Sequence, residues 1–218
     1  MHYLLKRGFV MERQVLARIA LGVPTSKGGE GVWEVMERRR SQRVYSREGL
    51  SFDLLSQLLW ATQGITGREG PYLFRTTPSA GALYPLETYL IVHRIERLNP
   101  GIYLLDVPEF RLELLREGDF SQEIVAAALH QSMAAAAAVV FVWTAVIKRS
   151  SWKYGERASR YIYLDAGHIG QNLYLAATAL EIGCCTIGAF YDDKVNQLIG
   201  VDGREETAIY LAAVGKAM

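Results

Sequence analysis

Apolar residues recur at three- and four-residue intervals over Phe52–Gln63, where Leu54, Leu55, Leu58 and Leu59 form one stripe behind Ser51, a good N-cap. The same period predicts a helix over 32–40, with Val32, Val35 and Met36 on one face, and another over 192–199. A longer helix is predicted over 161–182, closed by Gly183 as C-cap. Its face of Ala166, Ile169, Gly170, Leu173, Ala177 and Leu180 is small enough for close helix–helix approach. Strand-like runs cover 86–93, 101–105 and 110–115, a meander with turns at 99–101 and 106–108, and recur over 185–190 and 208–214. Residues 124–147 carry no charge, but the alanine-rich part (122–136) is helical in character and 139–147 is β-branched and aromatic. A buried helix running into a buried strand fits that change better than a membrane span.

Helices and antiparallel-leaning strands alternate without a βαβ rhythm, so the fold class is α+β. The stretch PTSKGGEG (24–31) separates an N-terminal arm, residues 1–31, from the main domain, residues 32–218. In the arm, Val15, Leu16, Ile19 and Ala20 suit a short amphipathic helix, while Lys6, Arg7, Glu12, Arg13 and Arg18 interrupt any signal-peptide core. Residues 64–85 are rich in Gly, Thr, Ser and Pro and read as one long loop, a length usually tied to function. Residues 148–160 read as a polar connector.

With 218 residues, the chain has the size of one large domain. Its 24 Lys+Arg and 23 Asp+Glu nearly cancel, but residues 1–43 hold nine basic against four acidic side chains. The excess peaks at Arg38–Arg43, which could be a solvated surface, a nucleic-acid patch or a specific anion site. The rest of the chain is net acidic and has no basic stripe interleaved with aromatics, which counts against nucleic acid. The two cysteines, Cys184 and Cys185, are adjacent and read as buried and structural. The four histidines are scattered, so no metal site is expected, and His168 reads as a packed or hydrogen-bonded residue. GxGxxG, P-loop and GxSxG patterns are all missing, so an enzyme of this sequence would borrow its reactive group from a cofactor.

Three features could hold one. Arg39, Ser41 and Arg43 offer two guanidinium forks and a hydroxyl to an anion, with Arg40 between them. Residues 76–85 (TTPSAGALYP) place small side chains where backbone N–H groups could approach a flat polar ligand. Thr186-Ile187-Gly188-Ala189 is a small-residue break at a strand end, open to a planar ring. These motifs, followed by a terminal strand ending Val-Gly-Lys and together with DAGHIGQNLYLAATALEIGCCTIGAF, resemble the FMN-dependent nitroreductase superfamily, and within it the SagB/ThcOx-type azoline dehydrogenases.

The resemblance implies a nitroreductase-like fold, a mainly antiparallel central sheet flanked by helices, in an intertwined homodimer with FMN at the interface. Arg39, Arg40, Ser41 and Arg43 would then hold the phosphate and ribityl chain, with Lys216 adding a contact. Pro78, Ser79, Ala80, Gly81 and Leu83 would approach the flavin from the other subunit, and the backbone of Ile187, Gly188 and Ala189 would line its reactive edge. Lys153-Tyr154 matches a pair carried by azoline-oxidising members. Lys153 would be the base and Tyr154 would position or relay, provided burial or a neighbouring cation such as Arg149 or Arg157 lowers the lysine pKa. A solvated Lys beside a core Tyr is the other reading of that pair. The implied activity is a cytoplasmic FMN oxidoreductase that exchanges hydride with an organic substrate or NAD(P)H. A general NAD(P)H:nitro/quinone reductase and a non-catalytic flavin-binding module are the alternatives.

Overall fold

The computed structural model describes residues 13–70 and 72–218. In chain order the elements are β1 (Ala17–Ala20), α1 (Val32–Arg38), α2 (Phe52–Gln63), β2 (Ile65–Glu69), β3 (Tyr72–Arg75), β4 (Leu86–Val92), β5 (Gly101–Asp106) and β6 (Arg111–Glu117). There follow α3 (Ser121–Ala127), α4 (Met133–Ala136), β7 (Val139–Val146), α5 (Lys148–Tyr154), α6 (Ala158–Ala179), β8 (Ile182–Ile187), α7 (Asp192–Ile199) and β9 (Glu206–Lys216). Seven strands pair in the order β1-β6-β5-β4-β7-β9-β8, every pairing antiparallel, and β2–β3 form a separate hairpin.

The sheet is covered on both faces, which explains why its interior strand β7 is buried along its whole length. Alternation along β7 sends Phe141, Trp143 and Ala145 into the cluster built with Leu55, Leu58 and Leu59 of α2 and Ile162, Ile169 and Leu173 of α6. Val140 and Val142 point the other way, to Ile124 of α3, Ala134 of α4 and Val195 and Leu198 of α7.

Several sequence expectations need correcting. The arm forms a strand, not a helix, where it is described: β1 pairs with β6 from Ala17↔Leu114 to Ala20↔Arg111 and closes an otherwise unpaired sheet edge. The part of the arm at residues 1–12 lies outside the described residues. The long loop contains the β2–β3 hairpin and a short 3-10 turn, Ala80–Ala82. The alanine-rich helix breaks into α3 and α4 because Leu129 and His130 adopt left-handed φ of 54° and 58°. The polar connector is mostly helical, as α5, a 3-10 turn (Gly155–Arg157) and the start of α6.

Helix α6 stops at Ala179, and Gly183 belongs to β8 rather than to a cap. The left-handed residue at that corner is Glu181 (φ 57°), whereas a Cβ on Gly183 would come within 3.0 Å of the Tyr45 ring. The close approach made by the small-residue face of α6 includes the sheet: a Cβ on Gly170 would sit 2.7 Å from Tyr210 of β9.

The predicted cap of α2 is present, with the Leu54 N–H donating to Ser51 Oγ at 3.2 Å. At the other end of α2, the hydroxyls of Thr76 and Thr77 donate to the carbonyls of Trp60 (3.0 Å) and Thr62 (2.7 Å), and Asn172 Nδ2 donates to that of Ala61 (2.9 Å). These bonds satisfy carbonyls that a helix leaves unpaired and fasten the start of the 76–85 segment to α2 and α6. Ser51→Ala is expected to cost about 1 kcal/mol, and thus to lower the midpoint of thermal unfolding by roughly 2–4 °C. A scan by circular dichroism checks it.

Candidate active site

Helix α6 is the spine of the site, and its two ends gather different chemistry. Towards its C-terminal end, Tyr174 Oη lies 2.9 Å from Ser41 Oγ, accepts the Thr186 N–H at 2.9 Å and sits 3.2 Å from Thr186 Oγ1. The Arg39 guanidinium lies over the Tyr174 ring, 5.2 Å from its centroid. Arg39 ends α1, with its N–H bonded to the Val35 carbonyl at 3.0 Å. The segment after it is pinned to the sheet: Gln42 N–H donates to the Cys184 carbonyl (2.9 Å), and Tyr45 Oη donates to the carbonyls of Gln42 (2.6 Å) and Ala213 (2.9 Å). Burial drives the Tyr45 phenol far above its ordinary range, so it remains a donor.

Arg43 makes only a long 3.5 Å contact to the Ser41 carbonyl, and neither Arg39 nor Arg43 forms an ion pair among the described residues. Two unpaired guanidiniums flanking one exposed hydroxyl fit a phosphate group. Arg40 folds back on the carbonyls of Glu37 (2.9 Å) and Arg39 (2.8 Å). Lys216 lies beside the same segment, its carbonyl accepting the Ser46 N–H at 2.9 Å, but its ammonium is engaged by Glu48.

Near the N-terminal end of α6 the 79–84 turn is tied to Asp165. Ser79 Oγ donates to Asp165 Oδ2 at 2.5 Å, Ala80 N–H donates to Oδ1 at 3.1 Å, and Tyr84 N–H donates back to Ser79 Oγ at 2.9 Å. Asp165 is buried, and desolvation raises its pKa above the usual carboxylate value despite these donors. The turn is left-handed at Gly81 (φ 64°), Ala82 (φ 52°) and Tyr84 (φ 46°), at about 1–3 kcal/mol for each non-glycine.

A Cβ on Gly81 would fall 2.6 Å from Lys153 Nζ and 2.7 Å from Tyr154 Oη. The turn is therefore in contact with the Lys-Tyr pair. Tyr154 packs against Tyr161 at 4.4 Å between centroids with the rings tilted by 42°, and Lys153 is exposed. Arg149, proposed as a neighbouring cation, turns away to the Glu87 carboxylate and the Tyr84 carbonyl. Of the other loop residues, Pro78 is exposed and Leu83 half-buried.

Arg75 locks the base of the hairpin. It donates to Gln63 Oε1 at 2.7 Å and lies 4.5 Å over the Tyr84 ring, and its burial pulls its pKa down to about 10. Beyond it, an open cleft of about 520 Å³ is lined by Glu69, Tyr72, Phe74, Gly81 and Ala82.

Ile187 is buried at the end of β8, next to Thr186 and so next to the Tyr174 cluster, while Gly188 and Ala189 are exposed. Nothing lies within 4 Å of a Cβ placed on Gly188, and the Ala189 carbonyl accepts from Gln131 Nε2 at 2.9 Å. Asp165 and Tyr174 lie nine positions apart on α6, which is roughly 13 Å of helix. The candidate residues thus form two groups in one chain. Arg39, Ser41, Arg43 and the 187–189 edge make one, and Ser79–Gly81 with Lys153 and Tyr154 make the other.

His168, read as packed or hydrogen-bonded, is exposed and so not packed, and both cysteines are buried and unbridged. Among the described residues no group of His, Cys, Asp and Glu could hold a metal, and no helix is long and apolar enough to cross a membrane. Sequence reasoning missed Tyr174, Asp165 and Arg75, although a polar residue on the buried face of α6 is a usable signal.

The profile of the nitroreductase family matches residues 36–216, a span that holds both groups. The chain belongs to the nitroreductase family. FMN is the cofactor of this family, whose members are generally flavin oxidoreductases. A nitroreductase homologue of Methanocaldococcus jannaschii is 34% identical over 183 residues, 84% of this chain and 89% of that protein. A crystal structure of a nitroreductase homologue from Anabaena variabilis superposes with TM-score 0.81 at 30% identity, over 96% of this chain and 44% of that one. The trifolitoxin-processing protein TfxB of Rhizobium leguminosarum is 28% identical over 170 residues, 73% of this chain and 46% of that protein. This nitroreductase-family chain therefore spans less than half the length of the last two.

Proposed function

We propose that this nitroreductase-family protein is a SagB/ThcOx-like dehydrogenase, a cytoplasmic homodimer that oxidises a small nitrogen-containing ring. The observation that carries the reading is the approach of Lys153 Nζ and Tyr154 Oη to Gly81 of the 78–83 turn. The trifolitoxin-processing relative supports it. Arg39, Ser41 and Arg43 are the donors for the FMN phosphate, with Arg40 acting through its main chain and Lys216 adding charge once released from Glu48. The backbone of residues 187–189 and the turn carrying Pro78, Ser79, Ala80, Gly81 and Leu83 border the ring. Bound FMN supplies the two-electron hydride acceptor.

Lys153 takes the proton that a ring carbon loses as the ring becomes aromatic, and Tyr154 holds the lysine side chain and the substrate in line. Dimerisation is supported by Trp33 (77% exposed), Tyr163 (62%) and Leu164 (54%), which stand on the outer faces of α1 and α6.

A general NAD(P)H:nitro/quinone reductase is the second reading, favoured by the exposure of Lys153 and by the match to the M. jannaschii homologue over most of both chains. Mixing the yellow protein anaerobically with NADH or NADPH separates the two. Absence of bleaching, with azoline oxidation lost in Lys153→Ala, is the result expected for the dehydrogenase. Bleaching with Lys153→Ala fully active would refute it in favour of the reductase.

A further inference from the structure

Asp165 is one of the few buried acids in the molecule, and it has no ion pair among the described residues. A buried carboxylate without a cation is unfavourable unless its oxygens are occupied by donors. Here the donors belong to a single turn: the Ser79 hydroxyl on one oxygen and the Ala80 N–H on the other. The same hydroxyl accepts the Tyr84 N–H, so Ser79 closes the six-residue segment on itself while Asp165 of α6 anchors its first two residues. Between the ties lie Gly81 and Ala82 in left-handed conformation, with Tyr84 also left-handed at the far end. Such a backbone relaxes when its fixing contacts are lost, because only glycine adopts it freely. Gly81 is also the residue that meets Lys153 Nζ and Tyr154 Oη.

We infer that Asp165 is the positioning residue of the Lys153–Tyr154 half of the site: its carboxylate holds the 79–84 turn in the form that seats Gly81 against the lysine and the tyrosine. The inference deepens the reading of Lys153 and Tyr154 as the proton-handling pair and rests on it. It gives burial of the acid a purpose, since desolvation shifts Asp165 towards its neutral form and only these donors oppose that shift besides the His168 ring. A carboxylate also accepts on both oxygens, which no neutral side chain of that size does without presenting a donor to Ser79.

The test uses the full-length, FMN-loaded protein, with Lys153 reported by the NMR signal of its ¹³C-dimethylated amine and the turn by amide hydrogen exchange. Asp165→Ala is expected to speed exchange at residues 80–84 at least tenfold and to move the Lys153 signal. Azoline oxidation should fall ten- to a hundredfold through kcat rather than KM. Asp165→Asn keeps an acceptor for Ala80 N–H and is expected to restore part of each effect. Ser79→Ala, which removes one hydroxyl and threatens folding least, should repeat the Asp165→Ala changes at smaller size. Unchanged exchange at 80–84 and an unmoved Lys153 signal in Ser79→Ala and Asp165→Ala would overturn the inference. A moved signal with unimpaired turnover would support the positioning role and refute instead the catalytic reading of Lys153 and Tyr154.

Discussion

Glu206→Ala should lower the free energy of unfolding by about 3–5 kcal/mol, the cost of leaving a buried charge without its partner. Glu206 opens β9, and its side chain is 3% exposed. Its Oε1 accepts from Tyr89 Oη of β4 at 2.8 Å and from Thr144 Oγ1 of β7 at 2.6 Å, while its Oε2 accepts from Arg13 Nη2 at 2.5 Å. The Arg13 guanidinium also lies 5.3 Å over the Tyr89 ring, so the segment before β1 reaches across the sheet to this acid. Burial and the neighbouring carboxylate hold the Tyr89 phenol far above its ordinary pKa, so it always donates.

Alanine at 206 strands one guanidinium and two hydroxyls in a place water does not reach. In a chain of this size the loss corresponds to a fall in the unfolding midpoint of roughly 6–20 °C. Urea unfolding followed by tryptophan fluorescence measures it directly. Removing both charges together, as Arg13→Met with Glu206→Leu, should be far milder than either single loss. A loss below about 1 kcal/mol in Glu206→Ala would show that the Arg13 charge finds solvent when its partner is gone.

The second large effect concerns cofactor retention. Arg39→Ala and Arg43→Ala should each weaken FMN binding by about 1.5–3 kcal/mol, the worth of a charged hydrogen bond, or roughly 10- to 150-fold. Arg39 should cost more, because it is held in place by stacking on Tyr174, whereas Arg43 has only its long contact to the Ser41 carbonyl. Arg39→Lys should recover little, since an ammonium cannot offer the planar fork. Titration of the apoprotein with FMN, read by quenching of flavin fluorescence, gives the affinities. An unchanged affinity when Arg39→Ala and Arg43→Ala are combined would move the phosphate site elsewhere.

The bounds of α2 and α7 were legible residue for residue, because each has a clear apolar stripe and a clean start. The β2–β3 hairpin was not legible. Gly67 stands opposite Phe74 in its ladder, and a strand holding glycine and threonine between two glycine-bearing turns looks like a loop in one dimension. The break between α3 and α4 was hidden for the opposite reason, since nothing in an alanine-rich run marks Leu129 and His130 as left-handed.

In the candidate site, Arg39, Ser41 and Arg43 announce themselves by spacing. Tyr174 does not, because its partner Ser41 is 133 residues away and its place on α6 looks like ordinary core. Asp165 was equally silent: its role depends on a turn whose backbone no local pattern specifies.

The strand β1 has a consequence for the behaviour of the protein in concentrated solution. A seven-stranded antiparallel sheet offers two flanks to which further strands could add, and long apolar flanks of that kind seed polymers. Here β1 shields the longer β6, whose middle residues are buried, and leaves outermost a strand of four residues that includes Arg18. On the other flank the Gln42 N–H occupies the Cys184 carbonyl of β8. Both flanks are thus guarded by residues from the first fifth of the chain. Shortening the protein ahead of residue 21 would do more than unpair Glu206: it would uncover a ribbon-forming surface.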